Sequence, residues 1–440
     1  MAQTLALKGS KKLLNAWAFY DWANSVYSLV ISSAIFPLFY GLLFRTAGIE
    51  QVTLFGGEIA RAPLISYVTS LAFVFIAIVT PLVSGVADYL GNKKVFLKFF
   101  CYLGAASCIG LYWFSLENIL FGLACYFFGL VGFWVSFAIN NSYLPDIAYP
   151  EQQDSISAKG FSLGYVGSVI LLVFNLFMVM EPDFFGITDS GGEIAEIKAM
   201  KYSFISVGIW WILFSQYTFK HLPKGYKREG ERHHIILNGF KELKLVWHQL
   251  GENRRLKRYL GAFFTYSMAV QTIMLIATYF GEEEIVWGSD NERTMGLIIS
   301  ILLIQIVAIL GATLTARASK AYGNIKTLIC INVIWALLCV YAYFLQTPTD
   351  FYIAAGLVGV VMGGIQALSR STYSKFLPDT TDTTSFFSFY DVAEKIGIII
   401  GTLMYGIVAQ LTGSMRNSTI FLGLFFVIGI FLLTRVNKKS

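Results

Sequence analysis

Charge is scarce in this chain. Of its 440 residues only 14% are Asp, Glu, Lys or Arg, where a soluble globular protein carries roughly 25%. The hydrophobic set reaches 56% and mean hydropathy is +0.63. No soluble fold hides that much apolar surface, so a bilayer must be the solvent for most of the chain. Histidine is nearly missing too: His221, His233, His234 and His248 all fall in one polar stretch. Any proton relay inside the membrane must therefore use carboxylates. Cys101, Cys108, Cys125, Cys330 and Cys339 all fall inside apolar segments, which argues against a disulfide framework. No Cys/His spacing suits a metal, and nothing calls for a cofactor. Low-complexity segments and soluble domains are absent from the pattern. A cleavable signal peptide is not expected, because Lys8, Lys11 and Lys12 precede a full-length apolar run containing Asp21.

What is present is a series of apolar runs near the length of about 20 residues that a membrane crossing needs. Twelve are predicted, at 17–44, 64–86, 95–115, 118–139, 160–180, 202–219, 259–280, 294–316, 325–345, 351–368, 386–411 and 418–435. The first is long for one crossing and should tilt or extend past the hydrocarbon. Charge sidedness agrees with an even count. The stretch 220–258 carries eleven Lys/Arg against four acids, whereas 45–63 is neutral. The loops at 181–201 and 281–293 are acidic, with Glu181, Asp183, Asp189, Glu193 and Glu196, then Glu282, Glu283, Glu284, Asp290 and Glu292. Lys and Arg concentrate on the cytoplasmic side, which puts both termini and 220–258 inside. The net charge of +6 is thus an orientation signal, and nucleic acid is not an expected partner. Within 220–258, Ile236, Phe240, Leu243, Trp247 and Leu250 recur at helical spacing among Lys241, Glu242, Lys244 and His248. They predict an amphipathic helix against the inner membrane surface, with Arg254, Arg255, Lys257 and Arg258 anchoring the next span. Such a helix serves as a tether, or as a regulatory surface.

The chain also repeats itself. Gly91-Asn92-Lys93-Lys94 returns as Gly323-Asn324-Ile325-Lys326, and Leu144-Pro145-Asp146 as Leu377-Pro378-Asp379, about 232 residues apart. Ala18-Phe19-Tyr20-Asp21-Trp22 pairs with Ala262-Phe263-Phe264-Thr265-Tyr266 at a slightly longer offset. Three matches in one order imply two homologous halves, 1–219 and 259–440, joined by a linker at 220–258. Many secondary transporters are duplicated in this way, with the substrate site at the seam.

Between the second and third spans lies Ser84-Gly85-Val86-Ala87-Asp88-Tyr89-Leu90-Gly91-Asn92-Lys93-Lys94. It resembles the major facilitator superfamily loop G-x-L-A-D-R-x-G-R-[RK], with Ser84 for the first glycine, Tyr89 for the arginine and Asn92 for the second basic position. Gly91 makes the turn. Asp88 is placed to hold a neighbouring helix N-terminus or a basic side chain, and Lys93 and Lys94 are expected at the headgroup level. A degraded copy, Ala316 to Lys326, lies at the equivalent place in the second half. Two more stretches narrow the resemblance: Ala16-Trp17-Ala18-Phe19-Tyr20-Asp21-Trp22-Ala23-Asn24-Ser25, and Gly363-Gly364-Ile365-Gln366-Ala367-Leu368-Ser369-Arg370-Ser371 followed by Phe386-Phe387-Ser388-Phe389-Tyr390 and Lys395. With them the whole chain looks like the unknown-major-facilitator branch, which includes the autophagy-related vacuole amino-acid effluxers of fungi and many bacterial members. Span seven departs from that pattern: Ser267-Met268-Ala269 stands where an Asn or Asp and a Gly are usual, although Val270-Gln271-Thr272-Ile273 fits.

Charges inside spans are the leading functional candidates, because a lone acid at mid-bilayer costs about 2.5–3.5 kcal/mol on insertion scales. Asp21, near the inner end of span one, is either functional or a helix-packing contact. Asp391, Glu394 and Lys395 share about one turn of span eleven. Asp391 and Lys395, four apart with the acid first, are expected to pair, leaving Glu394 the unpaired acid. A self-neutralised gate cluster is the alternative. Asn24, Ser25, Asn140, Asn141, Gln271, Gln366 and Arg370 lie on spans one, four, seven and ten, the spans that the resemblance implies line the cavity. Each could bind substrate or satisfy helix backbone at a kink. Arg370 is the candidate anion binder, since guanidinium matches a carboxylate bidentately, or a gate residue near the inner face. The many aromatics carry no substrate inference.

The expected architecture is an all-α membrane protein of twelve transmembrane helices in two pseudo-repeated six-helix bundles. The expected function is secondary transport of a small polar metabolite by alternating access, with no enzymatic step. Amino-acid efflux is implied by the resemblance alone. Coupling is expected to use protons, through Asp21 or Glu394, with sodium as the alternative ion. A bacterial cytoplasmic membrane and a monomer complete the expectation. A non-transporting receptor or scaffold on the same fold is the rival reading.

Overall fold

A computed structural model describes residues 8–54, 56–189, 193–224 and 235–436. Among these residues, twelve helices are long and apolar enough to cross a membrane. We label them in order together with the linker helix. The first bundle comprises α1 (Lys11–Ala47), α2 (Arg61–Leu90), α3 (Lys93–Gly110), α4 (Ile119–Asn141), α5 (Pro150–Met180) and α6 (Ala195–His221). The linker helix is α7 (Ile235–Glu252). The second bundle comprises α8 (Arg254–Glu284), α9 (Asp290–Tyr322), α10 (Asn324–Tyr343), α11 (Pro348–Phe376), α12 (Thr383–Thr412) and α13 (Met415–Val436). Each bundle has its own apolar core, and the two meet where α5 packs on α9 and α11, and α2 on α12.

All twelve predicted spans are helical, but several helices run further than apolarity indicated. The fifth begins at Pro150 and the tenth continues to Phe376, because their polar first and last turns pair with the opposite bundle instead of meeting water. The long first span is one helix with a π-helical middle, Tyr27–Ile35. There Ser33 Oγ donates to Ser28 O over five residues at 2.9 Å. Pro37, with no N–H to give, follows at once. Gly91 closes α2 at φ 60°, a left-handed turn open to glycine at no steric cost. Between α1 and α2, where a plain loop was expected, β1 (Gln51–Leu54) and β2 (Gly57–Ala60) form an antiparallel hairpin with Gln51 opposite Ala60. This hairpin marks one end of the molecule and α7 marks the other.

The linker helix is amphipathic, and part of its apolar face packs against both bundles. Val246 and Leu250 are buried in the second core. Trp247 rests on Phe389 of α12 with ring centroids 5.5 Å apart. On the first bundle, a Cβ at Gly85 would lie 2.5 Å from the Gly239 carbonyl oxygen, so the two glycines let α7 cross α2 backbone to backbone. Phe240, Leu245 and Trp247 stay exposed. His233, His234 and the Ile236 side chain lie outside the described residues.

Candidate functional site

Between the bundles lies a cavity of about 320 Å3, in the range usual for small-molecule sites. Ser25, Asn141, Gln271, Gln366 and Arg370 line it, as do Asp391 and Glu394. Asn24 and Asn140 do not. Each is fully buried in the first bundle, and neither side chain has a hydrogen-bond partner. The reason is helix geometry: one residue along an α-helix turns about 100°, so the neighbours Ser25 and Asn141 face the cavity while Asn24 and Asn140 face the core. Ser28, Ser32 and Gln305 also line the wall. Ser28 and Ser32, four apart on α1, share one face as ordinary helical spacing predicts.

Arg370 is not free. It is 1% exposed and reaches from α11 into the first bundle. Its Nη1 donates to Asp21 Oδ2 at 3.2 Å and to Asn141 Oδ1 at 2.9 Å. Nη2 donates to Asp21 Oδ2 at 3.2 Å and to Ser157 O at 2.9 Å, and Nε to Ser157 Oγ at 2.9 Å. A guanidinium has five N–H donors, so none is left for a ligand carboxylate. The rings of Phe161 and Trp17 lie 4.2 and 4.7 Å from Cζ. Gly160 leaves room for the pair, since a methyl there would run into the Asp21 carboxylate. The expected anion binder is thus a tie between α1, α4, α5 and α11. Ser157 and Gly160 had no sequence signal.

The second charged group also differs from expectation. Lys395 donates to Asp391 Oδ1 at 3.1 Å and equally engages Glu394 Oε2 at 2.8 Å. Glu394 Oε1 accepts from Gln271 Nε2 at 2.7 Å. Glu394 is therefore doubly partnered, and the atom without a partner is the buried Asp391 Oδ2. The i,i+4 rule foresaw the first contact but not that a flexible lysine stem reaches its own neighbour as well. Trp134 of the first bundle covers Lys395, its ring centroid 3.4 Å from Nζ. At similar depth Tyr165 OH donates to Gln366 Oε1 at 2.8 Å.

Toward the linker end, two polar latches join the bundles. In the first, Asp88 accepts from the backbone N–H of Thr384 at 3.3 Å and of Ser385 at 2.6 Å, using the unsatisfied donors and positive dipole end of α12. Lys93, expected among headgroups, is buried instead at 4% exposure. It pairs with Asp146 at 2.5 Å, donates to Thr383 Oγ1 at 2.8 Å, and lies 4.5 Å over the Tyr143 ring. Those partners offset the cost of burying the charge. Lys94 stays half-buried and donates to Leu222 O. In the second latch, Asp154 of α5 accepts from Lys375 at 2.6 Å, Ser319 at 3.0 Å and Asn324 at 2.9 Å. At the hairpin end the ion pairs Lys201–Glu193 and Arg416–Glu284 each stay within one bundle. The latches, by contrast, cross the seam between the bundles.

Comparison with known proteins fits this geometry. Residues 9–440 match the family described as "Vacuole effluxer Atg22 like". The MFS-type transporter YxiO of Bacillus subtilis (strain 168) is 32% identical over 435 residues, covering 99% of this chain and 97% of its own. Autophagy-related protein 22 of Saccharomyces cerevisiae (strain ATCC 204508 / S288c) is 25% identical over 429 residues, 85% of this chain and 78% of its own. Among solved structures, a single-residue variant of the E. coli fucose:proton symporter FucP superposes with a TM-score of 0.70 at 15% identity, covering 97% of this chain and 98% of that one. FucP in the outward conformation gives 0.68 at 15% identity, with 97% and 99% covered.

Proposed function

We propose a solute, a direction and a coupling ion for a chain that belongs to the Atg22-like vacuole effluxer family of major facilitator transporters. It is an integral membrane protein and a secondary transporter, a carrier and not an enzyme, moving a small solute by alternating access between its six-helix bundles. The solute we infer is a small polar, amino-acid-like metabolite, and the direction is export. The observation that carries this is a cavity at the seam, where Ser25, Gln271, Gln366 and Glu394 stand among aromatic and aliphatic side chains, with polar latches joining the bundles toward the linker and ion pairs beside the cavity. We read the linker end as cytoplasmic from its excess of Lys and Arg. On that reading the present state faces away from the cytoplasm. The division into halves 1–219 and 259–440 about the linker 220–258, a bacterial cytoplasmic membrane and a monomeric carrier belong to the same proposal.

Coupling runs through protons and the buried carboxylates Asp21, Asp391 and Glu394, since the spans hold no histidine short of His221 at the end of α6. In proteoliposomes, an imposed pH gradient should drive transport by the wild type and a sodium gradient should not. Glu394→Gln should lose the drive. Transport indifferent to pH but responsive to sodium would replace the proton with sodium. A protein that shows no counterflow with any solute would favour a receptor.

A further inference from the structure

The positive groups in the cavity are fully engaged, and the negative groups are not. Arg370 commits all its donors to Asp21, Asn141 and Ser157. Lys395 points at Asp391, Glu394 and the Trp134 ring. Two cations thus face three carboxylates, which leaves a single uncompensated negative charge. Asp21 shares its charge with Arg370, so the surplus belongs to Asp391 and Glu394, which have one lysine between them. Asp391 is 4% exposed, and its Oδ2 has no partner.

The surroundings do not cancel that charge. From α8 the cluster meets Gln271, from α4 the Trp134 ring, and on its own helix Tyr390, which stacks on Phe263 of α8 and lies 4.9 Å from the Tyr373 ring of α11. Helices α2, α7 and α13 also pack against α12. The charges of α2 and α13 lie in terminal turns, such as Asp88 and Arg416, and the α7 lysines lie at the linker end. An uncompensated charge held among apolar walls is costly, so the cluster must take up a positive charge.

Resting on the amino-acid-like reading above, we propose that Asp391, Glu394 and Lys395 form a seat for one positive charge, occupied in turn by a proton and by the ammonium group of the substrate. Both acids line the cavity; the Glu394 side chain is 13% exposed, within reach of a ligand, and that of Asp391 is 5% exposed. When a proton is on Asp391, Lys395 stays with Glu394. When an ammonium group reaches Glu394, Lys395 turns fully to Asp391, whose proton leaves to cavity water. The occupants exclude each other through Lys395. The carrier therefore exchanges protons for substrate and does not carry the two together, which is the direction of coupling an exporter needs. Recognition is lopsided as well. A substrate carboxylate finds no guanidinium, only neutral groups such as Ser25, Ser28, Ser32 and Gln305.

Ligand chemistry tests this on the intact protein. Melting temperature would be followed with neutral L-amino acids, their carboxamides and their N-acetyl derivatives, and with butylamine and butyrate. Carboxamides should bind as tightly as the parent amino acids. N-acetylation, which removes the ammonium and its charge-assisted bonds, should weaken binding by about tenfold or more. In weak buffer each bound amine should release close to one proton. N-acetyl derivatives binding as well as their parents, or binding without proton release, would overturn the seat. If butylamine stabilises the protein while every amino acid and amide fails, the seat stands and the amino-acid reading falls. If butylamine fails too, the seat falls.

Discussion

The two latches at the linker end are built at equivalent places in the repeat, yet their polarity is reversed. In the first, the acid belongs to the motif: Asp88, in the last turn of α2, reaches the N-terminus of α12. In the second, the position matching Asp88 is Lys320, and the acid is on the opposing helix: Asp154 of α5 is held by Ser319, Asn324 and Lys375. Burial differs as well. Lys93 and Asp146 have side chains 5% and 11% exposed, against 20% and 10% for Lys375 and Asp154. One latch uses backbone donors that a helix end always leaves unpaired. The other needs three side chains to converge. Repeated halves need not use the same chemistry to close the same seam: the half with Lys320 at the motif position meets an acid on the opposing helix.

Between the latches lies the Asp21–Arg370 pair, and it gives the largest expected effect. If the pair and not the latches holds the bundles together, the comparison loses its point. Asp21→Asn leaves a buried guanidinium with neutral partners only. Removing one member of a buried pair costs about 3–5 kcal/mol, so thermal melts of the purified protein should show a large loss of stability. An unchanged melting temperature would mean that the pair contributes little to closure.

The latches themselves come next. Asp88→Asn turns an amide N–H toward the donors of α12 and weakens charge-assisted bonds of about 1.5–3 kcal/mol, a shift of roughly ten- to a hundredfold in the closed population. Transport should slow accordingly while ligand affinity stays within a few-fold, because Asp88 is remote from the cavity. Asp154→Asn acts at a carboxylate whose partner Lys375 has a side chain 20% exposed and can turn to water, so less of the charge-assisted bond energy is lost and transport should fall no more than several-fold. Equal slowing by both variants would erase the contrast. Loss of ligand binding in folded Asp88→Asn would make it a binding residue.

The smallest perturbation tests which end the latches close. Ser289 caps α9 at the hairpin end, accepting from the Glu292 N–H. Ser289→Cys should leave transport unchanged and be labelled from outside intact cells by an impermeant thiol reagent. Labelling only after permeabilisation would reverse the orientation and make the latched face the outer one.

Much of this molecule was legible before any coordinates. Insertion in a bilayer depends on the summed transfer free energy of each local run of about 20 residues. That sum is fixed by composition, so the twelve spans, the duplicated halves and the loop ending at Gly91 could all be read directly. So could the acids of α1 and α12, because a charge inside an apolar run stands out whatever surrounds it. The partners of those charges could not. Arg370 meets Asp21 across 349 positions of chain, and Lys375 meets Asp154 across 221. No local pattern carries such distances. Helix rotation set which of two adjacent asparagines faced the cavity, and the crossing at Gly160 and Gly85 set how closely neighbours approached. Composition and pattern alone dictated a duplicated membrane carrier with ionised groups within it. It took the packed fold to saturate Arg370, to bury Lys93 and to leave one oxygen of Asp391 bare, because donor satisfaction is a property of the assembled neighbourhood and not of the residue.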